Sequence, residues 1–471
     1  DEYTWCIPAH HPKLEVYDKT FIDLFAAETG FALAEIYTLL GERLDKLIRE
    51  RIKYEINERI IDSFLSGRSY WWANGCTNNW AAVCGGSVGC TFMLMRPDLF
   101  ESAKPRLDEI MENFLSGFND DGYCLEGTGY WHYGFGFFAV YAMLLREFSN
   151  GEHDWLADPK VKEISRFIQK MLLQPDVLAM FSDVNAREGY WVGLPHMLKT
   201  VYGDAIEKLP TEQATIVAYC HWAFASRSTV YYNPDYTTEV LANCVCTAPV
   251  TNYFIKRTDN YGLAFKGGNQ WESHNHQDVG SIILARNNKQ IFCDFGYIGP
   301  GYWPGYQSNR RNEYFQPSSF SHSIPYFDGK GQGGDCTDKA RAVYNAENGA
   351  VYMDFTLGYS KIEHPSLVKA ERTLTPLDDK IDICDRYEFS SDAKITERYV
   401  TTIKPVMEGE SVILDDVRFT CHGGATLNIV EQPFVDQLPD ENGNYNKICY
   451  LLDYTLDKGV TEFKATIDFI N

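Results

Sequence analysis

The hydrophobic period of the chain changes once, between about residues 226 and 249. Before this change, apolar residues recur every three or four positions, as Leu44 and Ile48 do, and this spacing predicts amphipathic helices. After it, short runs of β-branched and aromatic residues alternate with turn residues, which predicts antiparallel strands. We therefore expect two domains, a helical one over residues 1–240 and a β-sheet one over residues 241–471.

Two kinds of helix are expected in the first domain. Amphipathic segments such as 44–65 alternate with segments that are apolar on nearly all sides, such as 80–95 and 135–145. A helix of the second kind must be buried all round. Further helices are predicted over residues 161–173, 190–202 and 212–224. The alternation indicates an α+β multidomain chain, with an N-terminal (α/α) toroid followed by a C-terminal antiparallel β-sandwich. A plain helical bundle is the open alternative for the first domain.

The net charge of −22 bears on the partners of the chain. A surface this acidic argues against nucleic acid or an anionic membrane, and no hydrophobic run reads as long enough to span a bilayer. The 13 cysteines form no CxxC pairs and are typical of buried free thiols, which favours a reducing, cytoplasmic setting. A secreted or periplasmic location stays open, because a removed signal peptide leaves no trace in the mature sequence. A homo-oligomer is also possible.

Two histidines and an aspartate in the first third of the β-sheet domain are candidate metal ligands. His276 lies in the stretch WESHNHQDVG, Asp294 follows the turn pair Asn287-Asn288, and His322 lies in a loop rich in Gly, Pro and aromatic residues. Two imidazoles and one carboxylate are a normal ligand set for Zn²⁺ with a fourth position left to water. For His274 and His276, which lie two residues apart, a solvated polar patch is the alternative interpretation.

The metal hypothesis requires a bend in the chain. A simple hairpin centred on Asn287-Asn288 would put Asp294 opposite Ser281, several residues away from His276. The chain must therefore bend or bulge before the strand, and Gly280 is the residue where it could do so.

Two further clusters lie in the helical domain. Asn78 and Asn79 open a buried helix in the sequence TNNW, where an Asn side chain can cap the helix or donate a hydrogen bond to a ligand. Residues 121–136, DGYCLEGTGYWHYGFG, crowd glycines and tyrosines before another helix. A tyrosine beside a cation can serve as base and then as acid, although a packed aromatic loop is an equal alternative.

Taken together, these motifs resemble a known family. NNW, DGYCLEGTGYWHYG, HNHQDVGS with CDFG, and FSHS with YFDG occur in the order and approximate spacing of the heparinase II/III-like polysaccharide lyases, over residues 78–329. This group includes heparinases and alginate lyases. The resemblance implies an incomplete (α/α) toroid followed by antiparallel β-sheets, and an enzyme that cleaves a uronic-acid-containing poly- or oligosaccharide by β-elimination.

The resemblance also implies catalytic roles. Asn78 or Asn79, helped by His274, would neutralise the uronate carboxylate so that the adjacent C5 proton becomes acidic. Tyr130, at the EGxxY position, would be the catalytic base and acid, with Tyr133 as the alternative register.

The same resemblance implies a metal site and contacts to an acidic saccharide. A mainly structural Zn²⁺ would be held by His276, Asp294 and His322. The residues expected to bind substrate are Trp80, Glu126, Tyr133, Arg187, Arg310 and Arg311, although each arginine could instead form a surface ion pair.

Trp80 is a departure from the family pattern, since several members have a histidine next to the asparagine. Without that histidine, Tyr130 would take and return the proton on one face of the sugar. This favours a syn elimination and narrows the uronate configuration that the chain accepts.

Three other functions remain open. A glycoside hydrolase would need two carboxylates in a cleft, for which Glu126, Asp120 and Asp121 are available. A uronate epimerase would use the same proton abstraction without cleavage. A non-catalytic carbohydrate-binding protein could keep the fold alone.

Overall fold

The structure is a computed structural model that describes residues 3–7, 19–184, 193–207, 221–236, 241–299, 303–306, 308, 310–333 and 337–470. Its contacts divide the chain into two compact units. The helical unit comprises Asp1–Cys124, Tyr130–Phe167 and Gly189–Glu239, and the β unit comprises Leu125–Gly129, Ile168–Glu188 and Val240–Asn471. Two segments of the β unit therefore precede the boundary at residue 240 that the sequence suggests.

The helices follow the expected apolar spacing over most of the helical region. They are α1 (Leu24–Leu40), α2 (Lys46–Ile56), α3 (Asp62–Leu65), α4 (Asn79–Met95), α5 (Pro97–Ser116), α6 (Thr128–Tyr130), α7 (Gly136–Phe148), α8 (Pro159–Ser165), α9 (Phe167–Met171), α10 (Gly193–Tyr202) and α11 (Trp222–Tyr231). Two π-helical turns, Asn57–Ile61 and Trp131–Phe135, precede α3 and α7.

Helix α4 is the buried centre of the helical unit. Helices α1, α5 and α7 pack against it, and almost every residue from Asn79 to Met93 is buried. Glycines permit the close approach of these helices: a Cβ atom at Gly85 would lie 2.7 Å from Ile110, and one at Gly89 would lie 2.4 Å from the Tyr141 ring. The prediction that this apolar segment is buried on all sides is confirmed.

Helix α1 corrects one expectation from the sequence. The stretch Leu24–Arg43 is long and apolar enough to cross a membrane by length and composition alone, whereas no such run was expected. One face of α1 is packed within the helical unit, where a Cβ atom at Gly30 would come within 2.7 Å of Ile60. The helix also carries two acids: Glu28 contacts His221, just before α11, and Glu35 contacts Arg227, within α11.

The β unit consists of antiparallel strands. They are β1 (Leu172–Gln174), β2 (Val177–Leu178), β3 (Cys244–Thr247), β4 (Tyr253–Arg257), β5 (Gly262–Lys266), β6 (Ile282–Arg286), β7 (Lys289–Phe292), β8 (Tyr326–Phe327), β9 (Ala342–Tyr344), β10 (Val351–Asp354), β11 (Leu367–Pro376), β12 (Lys380–Phe389), β13 (Ile395–Thr401), β14 (Val406–Glu408), β15 (Ser411–Leu414), β16 (Val417–Cys421), β17 (Ala425–Val435), β18 (Asn446–Leu456) and β19 (Glu462–Phe469).

Three sheets of this unit share one hydrophobic core. The strand orders are β3-β4-β5-β6-β7, β14-β15-β16-β19-β12-β11-β10-β9 and β17-β18-β13-β8. Inward-facing residues of all three sheets, such as Leu263, Ile383 and Leu452, belong to a single buried cluster. Alternate burial along β11 and β12 is the period expected of packed antiparallel sheets.

One helix prediction needs correction. The segment 161–173, expected to be one helix, divides into α8 and α9, and its last residues enter the hairpin of β1 with β2. The helix expected over 212–224 lies mostly outside the described residues; α11 begins at Trp222. The helix expected over 190–202 begins at Gly193 within the described part.

A buried charge cluster ties the core of the β unit to two of its loops. The guanidinium of Arg372 contacts the carboxylates of Asp385, at 2.7 Å, and Glu397, at 3.1 Å, and all three side chains are fully buried. Its Nη1 also donates to the backbone carbonyls of Gly280 and Ser323, both at 2.9 Å. We call Arg372, Asp385 and Glu397 the core charge cluster.

The bend that the metal hypothesis requires is present. Gly280 has φ +89°, a left-handed conformation that favours glycine. The β6–β7 hairpin turns at Asn287 and Asn288, which both have positive φ, and its register shifts between Leu284 and Ala285. Strand β7 ends at Phe292, so Asp294 lies on the loop beyond the strand rather than within it.

Candidate active site and metal centre

His276, Asp294 and His322 come together in the β unit. Each offers a ligand atom, these atoms lie within 4.8 Å of one another, and all three residues are buried. Nδ1 of His322 lies 3.2 Å from Oδ2 of Asp294, and Nδ1 of His276 lies 3.9 Å from Oδ1 of the same carboxylate. Burial alone would raise the pKa of Asp294, but the two imidazoles outweigh that effect and lower it.

The donor set of this triad fits a metal ion. Nδ1 of His276 and both ring nitrogens of His322 are buried and have no hydrogen-bond partner among the described residues. Buried polar nitrogens normally have partners, so three such atoms around one carboxylate are the arrangement expected at a cation site. Two imidazoles and a carboxylate suit Zn²⁺.

Asp183 joins the triad to His274 and was not found from the sequence. Its Oδ1 lies 3.2 Å from Nε2 of His276, and its Oδ2 lies 2.7 Å from Nδ1 of His274. Burial would raise the pKa of Asp183, yet the hydrogen bonds from His274 and His276 and the charge of Arg311 together lower it. A carboxylate on the outer nitrogen of a metal-binding histidine fixes the tautomer and the orientation of the ring.

The segment that carries Asp183 is fixed against the loop that carries Asp294. A Cβ atom at Gly296 would lie 1.8 Å from the Val184 carbonyl oxygen, so only glycine permits this approach. Nε2 of Gln437 donates to the carbonyls of Val184, at 2.8 Å, and Phe295, at 3.1 Å. The two carboxylates of the site therefore have a common support.

Arg311 anchors the loop of His274. It forms an ion pair with Asp183 and donates to the carbonyls of His274 and Asn275, both at 3.0 Å. Its guanidinium lies 4.4 Å from the ring centroid of Tyr306, whose hydroxyl donates to Asp183 at 2.9 Å. Arg311 thus performs a positioning role that the sequence did not indicate.

A polar cavity of about 300 Å³ adjoins this cluster within the β unit. Its lining includes Gln270, Glu272, His274, Asn275, Arg311 and Asn312. His274 has φ +57°, a conformation that costs a non-glycine residue about 1 kcal/mol or more and that clusters at functional sites. Amide, imidazole and guanidinium groups around one concavity suit a ligand with hydroxyl and carboxylate groups.

In the helical unit, Asn78 and Asn79 differ in environment. Asn78 is the N-cap of α4: its Oδ1 accepts hydrogen bonds from the Trp80 backbone N–H at 3.0 Å and from the Cys76 thiol at 3.2 Å. The capping interpretation is therefore correct for this oxygen, and the donor of the same amide, Nδ2, is the group suited to a carboxylate. Asn79 is buried and packs against Gly134. A Cβ atom added at Gly134 would lie 2.9 Å from the Cβ atom of Asn79.

The tyrosine-rich motif contains the π-helical turn Trp131–Phe135, a feature that is common at functional sites. Tyr130 is half-buried at its start. The hydroxyl of Tyr133 donates to Oε1 of Glu28 at 2.5 Å, and burial, together with that carboxylate, raises the pKa of Tyr133 well above its usual value. A tyrosine in this state is a poor base, which favours the Tyr130 register.

Two acid–base groups of the helical unit were missed from the sequence. Oε2 of Glu28 lies 2.5 Å from Nδ1 of His221, so one carboxylate binds both His221 and Tyr133. Glu28 and His221 are 193 residues apart, and neither lies in a motif. No local signal could have paired them.

The other residues predicted to bind substrate differ in burial and in the residues they contact. Trp80 is half-buried with its ring 4.8 Å from that of the exposed Trp71, and Glu126 is buried in the β unit. Arg310 is exposed and forms an ion pair with Glu313 at 2.9 Å, as the alternative interpretation held. Arg187 lies outside the described residues.

For the hydrolase alternative, Asp120 has a side chain that is 94% exposed, 3.7 Å from Lys160. Such an exposed side chain lacks the apolar, enclosed setting in which a carboxyl group acts as a general acid. The eleven cysteines in the described part of the chain are all free, as the composition predicted.

Residues 243–440 match the family model described as "Heparinase II/III-like, C-terminal". This match covers most of the β unit and includes His274 and all three residues of the metal triad. No curated protein matches the chain at the level of sequence. The resemblance to the heparinase II/III-like group is confirmed by this match for the C-terminal region.

Solved structures show the same fold over nearly the whole chain. A heparinase III structure matches with a TM-score of 0.69 at 13% identity, covering 98% of this chain and 72% of that one. A heparan sulfate lyase from Pedobacter heparinus matches with a TM-score of 0.64 at 13% identity, covering 98% and 71%. A chondroitin AC lyase from Streptomyces coelicolor A3, in complex with chondroitin sulphate, matches with a TM-score of 0.54 at 10% identity, covering 94% and 66%.

The chain thus spans 66% to 72% of the length of these three structures. At such identities the likeness concerns the fold alone. The predicted fold class, a helical toroid followed by antiparallel β-sheets, is confirmed.

Proposed function

We propose that this chain, whose residues 243–440 match the heparinase II/III-like C-terminal family, is a polysaccharide lyase. Its substrate would be a uronic-acid-containing poly- or oligosaccharide, cleaved by β-elimination. The observation that carries the proposal is the cavity of the β unit, where His274, in a strained conformation, is anchored through Asp183 to a buried metal-type triad.

The roles follow from what elimination requires. The uronate carboxylate must be neutralised by hydrogen-bond donors so that its C5 proton becomes acidic, and Nδ2 of Asn78, or the amide of Asn79, with His274 would donate these bonds. Tyr130 would take the C5 proton and return one to the departing glycosidic oxygen. Trp80 would provide an aromatic face for a sugar ring.

A Zn²⁺ ion would be held by His276, Asp294 and His322. When bound, it would supply a fixed positive charge that joins three loops, and its role would be mainly structural. Asp183 would orient both His276 and His274 through its hydrogen bonds. Arg311 would hold the loop of His274 in place by donating to its backbone carbonyl. The position of His274 in the cavity would then depend on the integrity of the triad.

Ultraviolet absorbance during incubation with a panel of uronate polysaccharides and oligosaccharides tests the reaction. Appearance of the conjugated 4,5-unsaturated uronate is the expected result. New reducing ends without that absorbance would indicate a hydrolase, and exchange of the C5 hydrogen with deuterated solvent without cleavage would indicate an epimerase. Binding with neither change would leave a carbohydrate-binding protein.

A further inference from the structure

We propose that Cys244 and Cys246 form a binding site for a soft monovalent metal ion, Cu(I), on the edge strand β3 of the five-stranded sheet. These cysteines take no part in the proposed elimination, so the site stands whether or not that reaction occurs. The two thiols lie side by side on the strand and are both within reach of solvent.

Strand β3 places the two thiols on one face. Cys244 and Cys246 are two positions apart on this strand, and alternate residues of a strand point to the same side. Their partners on β4 are Arg257 and Ile255, respectively. Strand β3 stands at the end of the order β3-β4-β5-β6-β7, and both cysteines are half-buried. An ion in solution can therefore approach them.

The two thiols are also in contact with each other. A hydrogen bond with the side chain of Cys246, together with burial, raises the pKa of Cys244 well above its usual range. Two neighbouring thiolates repel each other, so the pair holds its second proton tightly while no cation is bound. A positive ion between the sulfur atoms removes that repulsion and can replace both protons.

A fixed positive charge lies beside the pair. Arg257, opposite Cys244 in the register, is buried, and its guanidinium donates to the carbonyl oxygens of Ala242, at 2.8 Å, and Leu172, at 2.5 Å. These carbonyls are neutral, and the charge of Arg257 acts to lower the pKa of Cys244, against the larger effects. Two thiolates with one Cu(I) ion carry a single negative charge, which the guanidinium would compensate.

The number of donors selects the ion. Within the described part of the chain, the group of three or more potential ligands is the triad of His276, Asp294 and His322, so the thiol pair offers two donors. Structural Zn²⁺ takes four ligands. Cu(I) prefers thiolates and forms stable complexes with two of them.

A disulfide would be the competing use of two adjacent thiols. Residues two apart on a strand have Cα atoms about 6.6 Å apart, near the upper end of the range of about 4.4–6.8 Å that a disulfide spans. Their Cβ atoms stand at a similar spacing, whereas a disulfide requires about 3.8 Å. Closing that bond would distort β3 and its pairing with β4. Two metal–sulfur bonds of about 2.3 Å each span the wider gap.

Other cysteines of the described chain lack this arrangement. Cys84 and Cys293 are buried. Cys384 and Cys421 are half-buried, but the Cys384 thiol donates to Glu462 at 3.6 Å and the Cys421 thiol donates to a backbone carbonyl at 3.7 Å. These two cysteines therefore provide a matched control for accessible thiols that are not paired with one another.

The test is an anaerobic titration of the reduced full chain with Cu(I) against a coloured Cu(I) chelator. Excess Zn²⁺ is present throughout, so that sites that prefer Zn²⁺ are not available to copper. We expect the wild-type chain to take one Cu(I) ion from the chelator, with two sulfur neighbours in its X-ray absorption spectrum. Each thiol gives up its proton and no electron is transferred, so uptake should release two protons per ion and strengthen as the pH rises.

Cys244→Ser and Cys246→Ser should each lose this bound ion, while the double variant Cys384→Ser/Cys421→Ser should keep it. Thermal melts without copper check that the variants fold. A second measurement needs no variant: bound Cu(I) should protect Cys244 and Cys246, but not Cys384, from alkylation by iodoacetamide, as mapped by mass spectrometry.

Three results would overturn the inference. The first is a wild-type chain that takes up no Cu(I) when reduced, including one that instead forms a Cys244–Cys246 disulfide on mild oxidation. The second is uptake that survives in the double variant Cys244→Ser/Cys246→Ser. The third is alkylation of Cys244 and Cys246 at the same rate with and without copper.

Discussion

The two units differ in how deeply they bury the polar groups of their candidate sites. In the β unit, His276, Asp294 and His322 are fully buried, and their orientation is set by sheets, a glycine bend and shared carboxylates. In the helical unit, Tyr130 and His221 are partly open to solvent; Tyr130 lies just before a π-helical turn and His221 just before α11. Burial on this scale suits a site that holds its shape, and partial exposure suits groups that exchange protons with a substrate.

The comparison has a direct consequence for substitutions. A change at Tyr130 should alter turnover while leaving the fold in place, because this side chain is only half-buried. Changes in the β unit should alter metal content and stability together, because the ligands are part of the core. Five predictions test this division.

The largest effect should come from Tyr130→Phe, which removes one oxygen and no packing. We expect a loss of about 10²- to 10⁴-fold in kcat with the fold retained, measured by absorbance assays and urea denaturation. Tyr133→Phe should lower kcat much less, because its hydroxyl serves Glu28. If Tyr133→Phe is the more damaging variant, the register of the motif is wrong.

His276→Ala should lose the metal and destabilise the β unit. Removal of one partner from a buried charged cluster costs about 3–5 kcal/mol, since Asp183 and Asp294 each lose an imidazole. Metal analysis by mass spectrometry and denaturation curves measure both quantities, with the exposed His422→Ala as control. A variant that retains bound metal and full stability would contradict the division between the units.

Asp183→Asn should weaken the metal site without removing a ligand. We expect a decrease of about 10- to 100-fold in metal affinity, measured by competition with a chelator, because the amide no longer fixes the tautomer of His276. The melting temperature of the chelator-treated protein should change less than that of the metal-loaded protein. Unaltered affinity would show that the contact of Asp183 with His276 does not influence the metal site.

His132 should make the helical unit sensitive to acid. Burial lowers the pKa of His132 to about 3, so the unfolded state binds a proton below its pKa near 6.5 while the folded state does not. The free energy of unfolding should therefore fall as the pH falls from 6.5, by about 2 kcal/mol at pH 5. His132→Phe should remove this part of the pH dependence; equal slopes for the two proteins would contradict the prediction.

The smallest effect separates the two atoms of the Asn78 amide. Asn78→Asp keeps an oxygen that caps α4, so stability should stay within about 0.5 kcal/mol, while Asn78→Ala should cost about 1 kcal/mol. Both variants remove the amide donor and should raise KM for a uronate substrate. Wild-type kinetics for Asn78→Asp would assign carboxylate binding to Asn79 instead.

Sequence alone predicted the part of the site that local patterns encode. His276 and Asp294 lie beside a turn and a bend that are visible as Asn287-Asn288 and Gly280, so their approach could be anticipated. Asp183 and Glu28 could not be found in this way. Each is a single acid in an ordinary stretch, and its partners lie 91 to 193 residues away.

The fold shows the same limit. The hydrophobic periodicity and the turn residues correctly predicted helices followed by sheets, and also the burial of α4. These features depend on residues that are close together in the sequence. They failed at residues 161–173, where the chain leaves α9 for β1, since the pairing of β1 with β2 and its packing beside β5 override local helix propensity. The sequence around Arg372, which lies inside β11, also did not indicate that its guanidinium pairs with Asp385 and Glu397.

The core charge cluster has a consequence for how this chain can diverge. Arg372 donates to the carbonyls of Gly280 and Ser323, which follow the candidate metal ligands His276 and His322 in the chain. Those bonds use backbone oxygens, so they do not depend on the identity of the side chains at these two positions. A single buried guanidinium therefore ties together two loops that are distant in sequence, and its replacement should release both loops at once.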